Sequence, residues 1–152
     1  MRRPVALASG AYLILVCVAI GADKPKSDLD AMQGKWKVTA VEMGGRQFPP
    51  EFIRDKETIV VIEGDKRTET VKGRADPIRA IVKLDPSKTP KQIDLVDAEP
   101  EQGKPAEVTV GIYEIQGDTL KECIARGGAD RPKEFKGADK NTMYRVLTRI
   151  KP

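Results

Sequence analysis

Gly34-Lys35-Trp36-Lys37-Val38-Thr39-Ala40-Val41 opens the folded part of this chain, and Trp36 is its only tryptophan. Trp36, Val38 and Ala40 alternate with Lys37, Thr39 and Val41, the two-residue period of a strand with one buried face. A lone large ring at the head of a first strand reads as the plug that closes the end of a small β-barrel, with the floor of an apolar cavity as the rival reading. Gly44-Gly45 ends the strand. Pro49-Pro50-Glu51-Phe52-Ile53-Arg54 then reads as a proline-started helical turn lying across the barrel mouth.

Downstream, Thr58 to Glu63 is β-branched and apolar, and Gly64-Asp65 supplies a two-residue hairpin turn. Counting from that turn sets Glu63 opposite Lys66, Ile62 opposite Arg67, Val61 opposite Thr68 and Ile59 opposite Thr70. One strand is apolar and its partner polar, so Arg67 to Lys72 is expected to be edge-like or solvated. Ile78 to Leu84 is a further strand, stopped by Asp85-Pro86-Ser87-Lys88-Thr89-Pro90. Gln92 to Val96 resumes, and an acidic loop over Asp97 to Lys104 follows. A second hairpin joins Glu107–Ile115 to Thr119–Ala125 around Gly117-Asp118. Its register pairs Ile115 with Leu120, Tyr113 with Glu122 and Gly111 with Ile124 on one face. On the other, Glu114 pairs with Lys121, Ile112 with Cys123 and Val110 with Ala125. Both faces are partly apolar, as expected when one lines an interior and a neighbouring segment covers the other. Gly127 to Asn141 is a long connection that folds back on the body or forms a lid, and Met143 to Ile150 is the last strand. About eight strands with short links predict an all-β fold, a small antiparallel up-and-down barrel or else a near-closed sandwich, with one short helical turn near the mouth.

Upstream, Met1-Arg2-Arg3 and the apolar run Val5 to Ala22 have the layout of a secretory signal peptide over residues 1–22. A retained membrane anchor is the rival reading of such a run. Val16, before Cys17, is too bulky for a lipoprotein cleavage site. Residues 23–30 read as a polar tether, with a short helical turn expected there, that leads to Leu29 and Met32 at the bottom of the barrel, with the domain proper over 31–152. The leader holds Arg2 and Arg3 and no acid, so its removal lowers the formal charge from +4 to +2. That mixed surface is not a nucleic-acid footprint. The expected compartment is periplasmic or extracellular, with no permanent membrane span after cleavage.

The residue inventory narrows the chemistry. Histidine is absent, which removes the commonest general base and metal ligand together. Ser27 and Ser87 lie in proline-flanked polar loops and not in a nucleophile elbow. Cys123, the only cysteine after the leader, faces Ile112 and reads as a small core residue, so no intrachain disulfide is available and a monomer is expected. Asp94, Asp97, Glu99 and Glu101 lack the ordered spacing of a calcium loop. No enzyme, cofactor or metal site is expected. Tyr113 and Glu122 are the pair of interest, since an inward-facing pair among apolar neighbours makes the kind of polar spot that orients a ligand. Phe48, Phe52 and Phe135 are placed near the mouth.

Four ordered blocks carry a resemblance. They are Met32-Gln33-Gly34-Lys35-Trp36-Lys37-Val38, Leu84-Asp85-Pro86-Ser87-Lys88 with Pro90-Lys91-Gln92-Ile93-Asp94-Leu95, Gly111-Ile112-Tyr113-Glu114-Ile115 running into Gly117-Asp118-Thr119-Leu120-Lys121 and Cys123, and Arg131-Pro132 with Glu134-Phe135. The chain resembles secreted bacterial proteins, abundant in planctomycetes, that carry a lipocalin-like domain with no assigned activity. The resemblance implies a lipocalin-like barrel in which an arginine of the last strand, here Arg149, covers Trp36. Arg67 and the charged stretch Arg74 to Arg79 depart from the family pattern, which tends to place an aromatic or aliphatic residue at Arg67. The expected role is a binding module for a small apolar or amphipathic ligand through Tyr113, Glu122, Phe48, Phe52 and Phe135. The alternative is a filled barrel that meets a protein partner, as similar small secreted barrels block proteases through an N-terminal arm; nothing in the sequence names that partner.

Overall fold

The computed structural model describes residues 27–151, so the leader and the first part of the tether lie outside the described residues. In chain order the elements are α1 (Asp28–Met32), β1 (Gly34–Met43), β2 (Arg46–Gln47), α2 (Pro50–Lys56), β3 (Thr58–Glu63), β4 (Lys66–Val71), β5 (Ile78–Asp85), β6 (Lys91–Asp97), β7 (Val108–Gln116), β8 (Thr119–Ala125) and β9 (Thr142–Arg149). Strands β1 and β3 to β9 pair antiparallel in sequence order, and β9 returns to pair with β1 from Trp36↔Arg149 to Met43↔Met143. That last pairing closes an eight-stranded barrel. The two-residue β2 is an extra flap on the end of β1.

Both Gly-Asp turns set the register that the sequence predicts, with Ile62 opposite Arg67 and Tyr113 opposite Glu122. The two-residue loops leave the flanking strands no slack to slip. The expected alternation fails once, in β1. Its register shifts between Val38 and Ala40, and this bulge leaves Ala40 exposed while Val41 takes the inward position and packs against the core. An extra residue in one strand reverses the side-chain parity beyond it.

A second expectation is overturned at β4. The strand is not an edge, and only its outward face is solvated: it pairs with β3 on one side and β5 on the other, Lys66 and Thr70 are exposed, and Arg67 and Glu69 are buried. Opposite Ile62 and Val60, these two side chains share the inward face of β3.

At the lower end, Ser27 caps α1 by accepting the Asp30 amide N–H, and Met32 is fully buried beneath the strands. The end of the tether thus forms the short helical turn expected there, from Asp28 to Met32. At the upper end α2 begins on Pro50, buries Ile53 and lies against β1. The 127–141 connection folds back on the outer face. Gly44 and Gly45 donate to the carbonyls of Asp139 and Gly137. A Cβ on Gly137 would fall 2.1 Å from the Glu42 carbonyl oxygen, so only glycine lets the segment lie this close to β1. Cys123 is covered there and donates to the Lys136 carbonyl. Tyr144 packs edge-on against Phe135.

Candidate functional site: a cavity floored by a buried ion quartet

Inside the barrel, Trp36, Val60, Ile62, Val82, Ile93, Tyr113, Leu120 and Leu147 form the apolar cluster of the lower half. Trp36 Nε1 donates to the Met32 carbonyl at 2.8 Å. The Arg149 guanidinium lies 4.1 Å from the Trp36 ring centroid and donates to the carbonyls of Ala31 and Gln33. One arginine thus stacks on the plug and also satisfies carbonyls at the end of α1, a place where orphan acceptors collect. Beside it, the Tyr113 hydroxyl and Lys91 Nζ each donate to Asp28 Oδ2 at 2.7 Å. Burial, then the bond to Asp28, pushes the Tyr113 phenol well above its ordinary range.

Above this plug sits a layer of four charges. Arg67 donates to both oxygens of Glu122, through Nη1 to Oε2 at 2.9 Å and through Nη2 to Oε1 at 3.0 Å. Its Nη2 also reaches Glu69 Oε2 at 3.2 Å. Arg145 donates from Nε to Glu122 Oε1 at 2.8 Å, from Nη2 to the same oxygen, and from Nη1 to Glu69 Oε1 at 2.7 Å. Two cations and two anions therefore close a neutral ring within the barrel. Among the described residues, no buried side-chain nitrogen or oxygen lacks a partner.

Burial works against charge on Glu122, but Arg145 and Arg67 outweigh it and bring the carboxyl down to about 2. Glu69 is lowered by the same contest. Burial is likewise outweighed at the arginines, chiefly by Glu122, and both are held more firmly protonated. At neutral pH the four groups are fixed charges and hydrogen-bonding partners, not a titrating acid or base.

The upper end of the barrel is a concavity open to one side. A cavity of 920 Å³ opens at the end that α2 flanks. Arg67, Glu69 and Arg145 reach it from below; Val41, Val71, Leu95, Ile124 and Met143 are among its apolar walls; Phe48, Phe52 and Ile78 stand toward its mouth. Phe48 and Phe52 pack on one another with centroids 5.1 Å apart. Lys56, Arg74 and Arg126 share its lining with Asp97, Glu99 and Glu107.

Of the residues singled out in the sequence, Phe48 and Phe52 line this cavity, while Tyr113, Glu122 and Phe135 do not. Tyr113 and Glu122 are cross-strand neighbours on the inward face, yet their polar atoms serve different networks: Tyr113 is tied to α1, and Glu122 is sealed beneath the two arginines. Phe135, on the 127–141 segment itself, packs edge-on against Tyr144 and is not part of the cavity lining. The sequence reading missed Arg67, Glu69 and Arg145 as a unit. A signal was present, because the hairpin register sets Arg67 and Glu69 opposite Ile62 and Val60, and a charge on an inward face requires a partner.

The acidic run is dispersed over separate partners, with Asp94 on Arg131, Glu99 on Arg79 and Glu101 on Lys104. Among the described residues, no group of three or more Cys, Asp or Glu is placed to hold a metal ion. No helix among them is long and apolar enough to cross a membrane. No known protein family and no curated protein matches this chain.

Proposed function

We propose that this chain is an exported lipocalin-like barrel of the secreted planctomycete-type family, and that it binds a small apolar or amphipathic molecule in the cavity at its open end. The observation that carries the reading is that cavity. Its 920 Å³ lies within the roughly 300–1,000 Å³ of small-molecule sites, and its lining combines apolar walls with many charged groups, a mixture suited to an amphipathic molecule. Export rests on the basic-then-apolar leader. The ion quartet and the Trp36 plug fill the lower half, which also suits the alternative of a barrel that acts through its surface; the open upper half favours the ligand.

Titration with Nile red, a neutral apolar dye, tests the reading. Saturable binding is expected, and Thr109→Phe, which adds a ring from the cavity wall, is expected to weaken it by about tenfold, the effect of ~1–3 kcal/mol of steric conflict. Absence of saturable binding, or a folded Thr109→Phe protein that binds undiminished, overturns it.

A further inference from the structure

The quartet's members do not meet the cavity equally. The Glu122 side chain is 0% exposed and accepts four hydrogen bonds from the two arginines. The Glu69 side chain is 11% exposed, against 5% for Arg145 and 2% for Arg67. Each Glu69 oxygen accepts a single bond from an arginine, and a carboxylate oxygen has lone pairs for about two. The floor therefore presents spare acceptor capacity on Glu69 beside the guanidinium of Arg145, whose fork carries five N–H groups in all. Its formal charges cancel.

Building on the ligand-binding reading above, we propose that the cavity selects an amphiphile whose head is uncharged and both donates and accepts hydrogen bonds, a primary alcohol or amide on an apolar chain. Such a head donates to Glu69 and accepts from Arg145. A carboxylate meets the negative Glu69 first, and an ammonium brings a second cation beside Arg145. At the floor each charge of the quartet already has a counter-charge, so nothing at that depth offsets the desolvation of either ion. The apolar walls from Val71 to Met143 then take the chain, and the head is drawn down because the tail has no favourable contact with a floor of charges.

The test compares dodecanol, dodecanoate and dodecylammonium as competitors of Nile red, at a mildly alkaline pH where the acid is ionised and the amine protonated. Dodecanol is expected to displace the dye at a concentration about tenfold lower than either ion, the effect of one uncompensated buried charge at its mildest. An ion that competes as well as dodecanol overturns the inference, as does dye binding that none of the three disturbs; in both cases the binding reading survives. Failure of Nile red itself to bind strikes the underlying reading instead. Glu69→Gln supplies an independent arm. With one negative charge removed from the floor, the dodecanoate-to-dodecanol ratio is expected to shift toward dodecanoate by several-fold. An unchanged ratio, in protein with a retained β-sheet circular dichroism spectrum, counts against the proposal.

Discussion

The two halves of the barrel interior are built on opposite plans. Below the quartet, polar groups serve the backbone or the docked helix: Trp36 and Arg149 bond carbonyls of α1 and its C-terminal flank, and Tyr113 bonds Asp28. Above it, charged and polar groups line an open cavity, and among them Arg79 pairs with Glu99. The quartet is the boundary between them. A layer of apolar side chains would fill the same volume, and replacing buried ion networks in that way is often neutral or stabilising. The difference teaches that the lower half is a packed core, while the charged layer gives the cavity a polar floor that an apolar core would not supply.

The largest expected effect comes from breaking that boundary on one side. Glu122→Ala leaves Arg67 and Arg145 buried without their main counter-charge, and about 3–5 kcal/mol of unfolding free energy should be lost in urea titrations. Joint replacement by Arg67→Met, Glu69→Leu, Glu122→Leu and Arg145→Met should cost less than Glu122→Ala alone, while erasing the preference among dodecyl head groups. A quadruple variant far less stable than Glu122→Ala would mean that the quartet holds the barrel together, and the contrast between the halves would fail.

Acid gives a milder disturbance of the same layer. Glu122 lies at about 2 in the folded protein and near 4.5 when unfolded. Its folded value is depressed, so the unfolded state binds more protons across this window and the stability due to Glu122 is complete above pH 4.5. That contribution is lost progressively as pH falls toward 2, with Glu69 adding to the same slope. Stability between pH 5 and 8 should accordingly be flat with respect to this layer, and the decline below pH 4.5 should be shallower in the quadruple apolar variant. An equally steep decline in both proteins would place the acid sensitivity elsewhere.

These halves were unequally legible from the sequence. The Gly64-Asp65 and Gly117-Asp118 turns fix register locally, so strand pairing around each could be counted from the chain, and the same counting set Tyr113 opposite Glu122. The bulge at Thr39 has no such local mark. It follows from closing β1 onto β9, more than a hundred positions away in sequence, where Thr39 Oγ1 donates to the Val146 carbonyl. The quartet is hidden for the same reason. Arg67 reaches Glu122 across 55 positions and Arg145 reaches Glu69 across 76, so a strand that looks solvated beside its hairpin partner is buried by strands it meets only in the closed barrel. Which way Tyr113 leans, toward α1 and not toward the mouth, depended likewise on a helix partner that the strand pattern does not contain.

Tyr113→Phe provides the smallest effect and the finest test of the division. The change removes one hydroxyl and keeps the ring in the apolar cluster. Asp28 keeps its bond from Lys91, so no carboxylate is stranded, and the loss should be that of a single hydrogen bond, about 1 kcal/mol. Because the hydroxyl lies on the α1 side of the quartet, Nile red affinity and the head-group ranking should not move. A stability loss with unchanged binding is what two independent halves require. Weakened binding in this variant, at a site outside the cavity lining, would show that the docking of α1 is transmitted through the quartet to the floor, and the barrel would then have to be treated as one coupled interior.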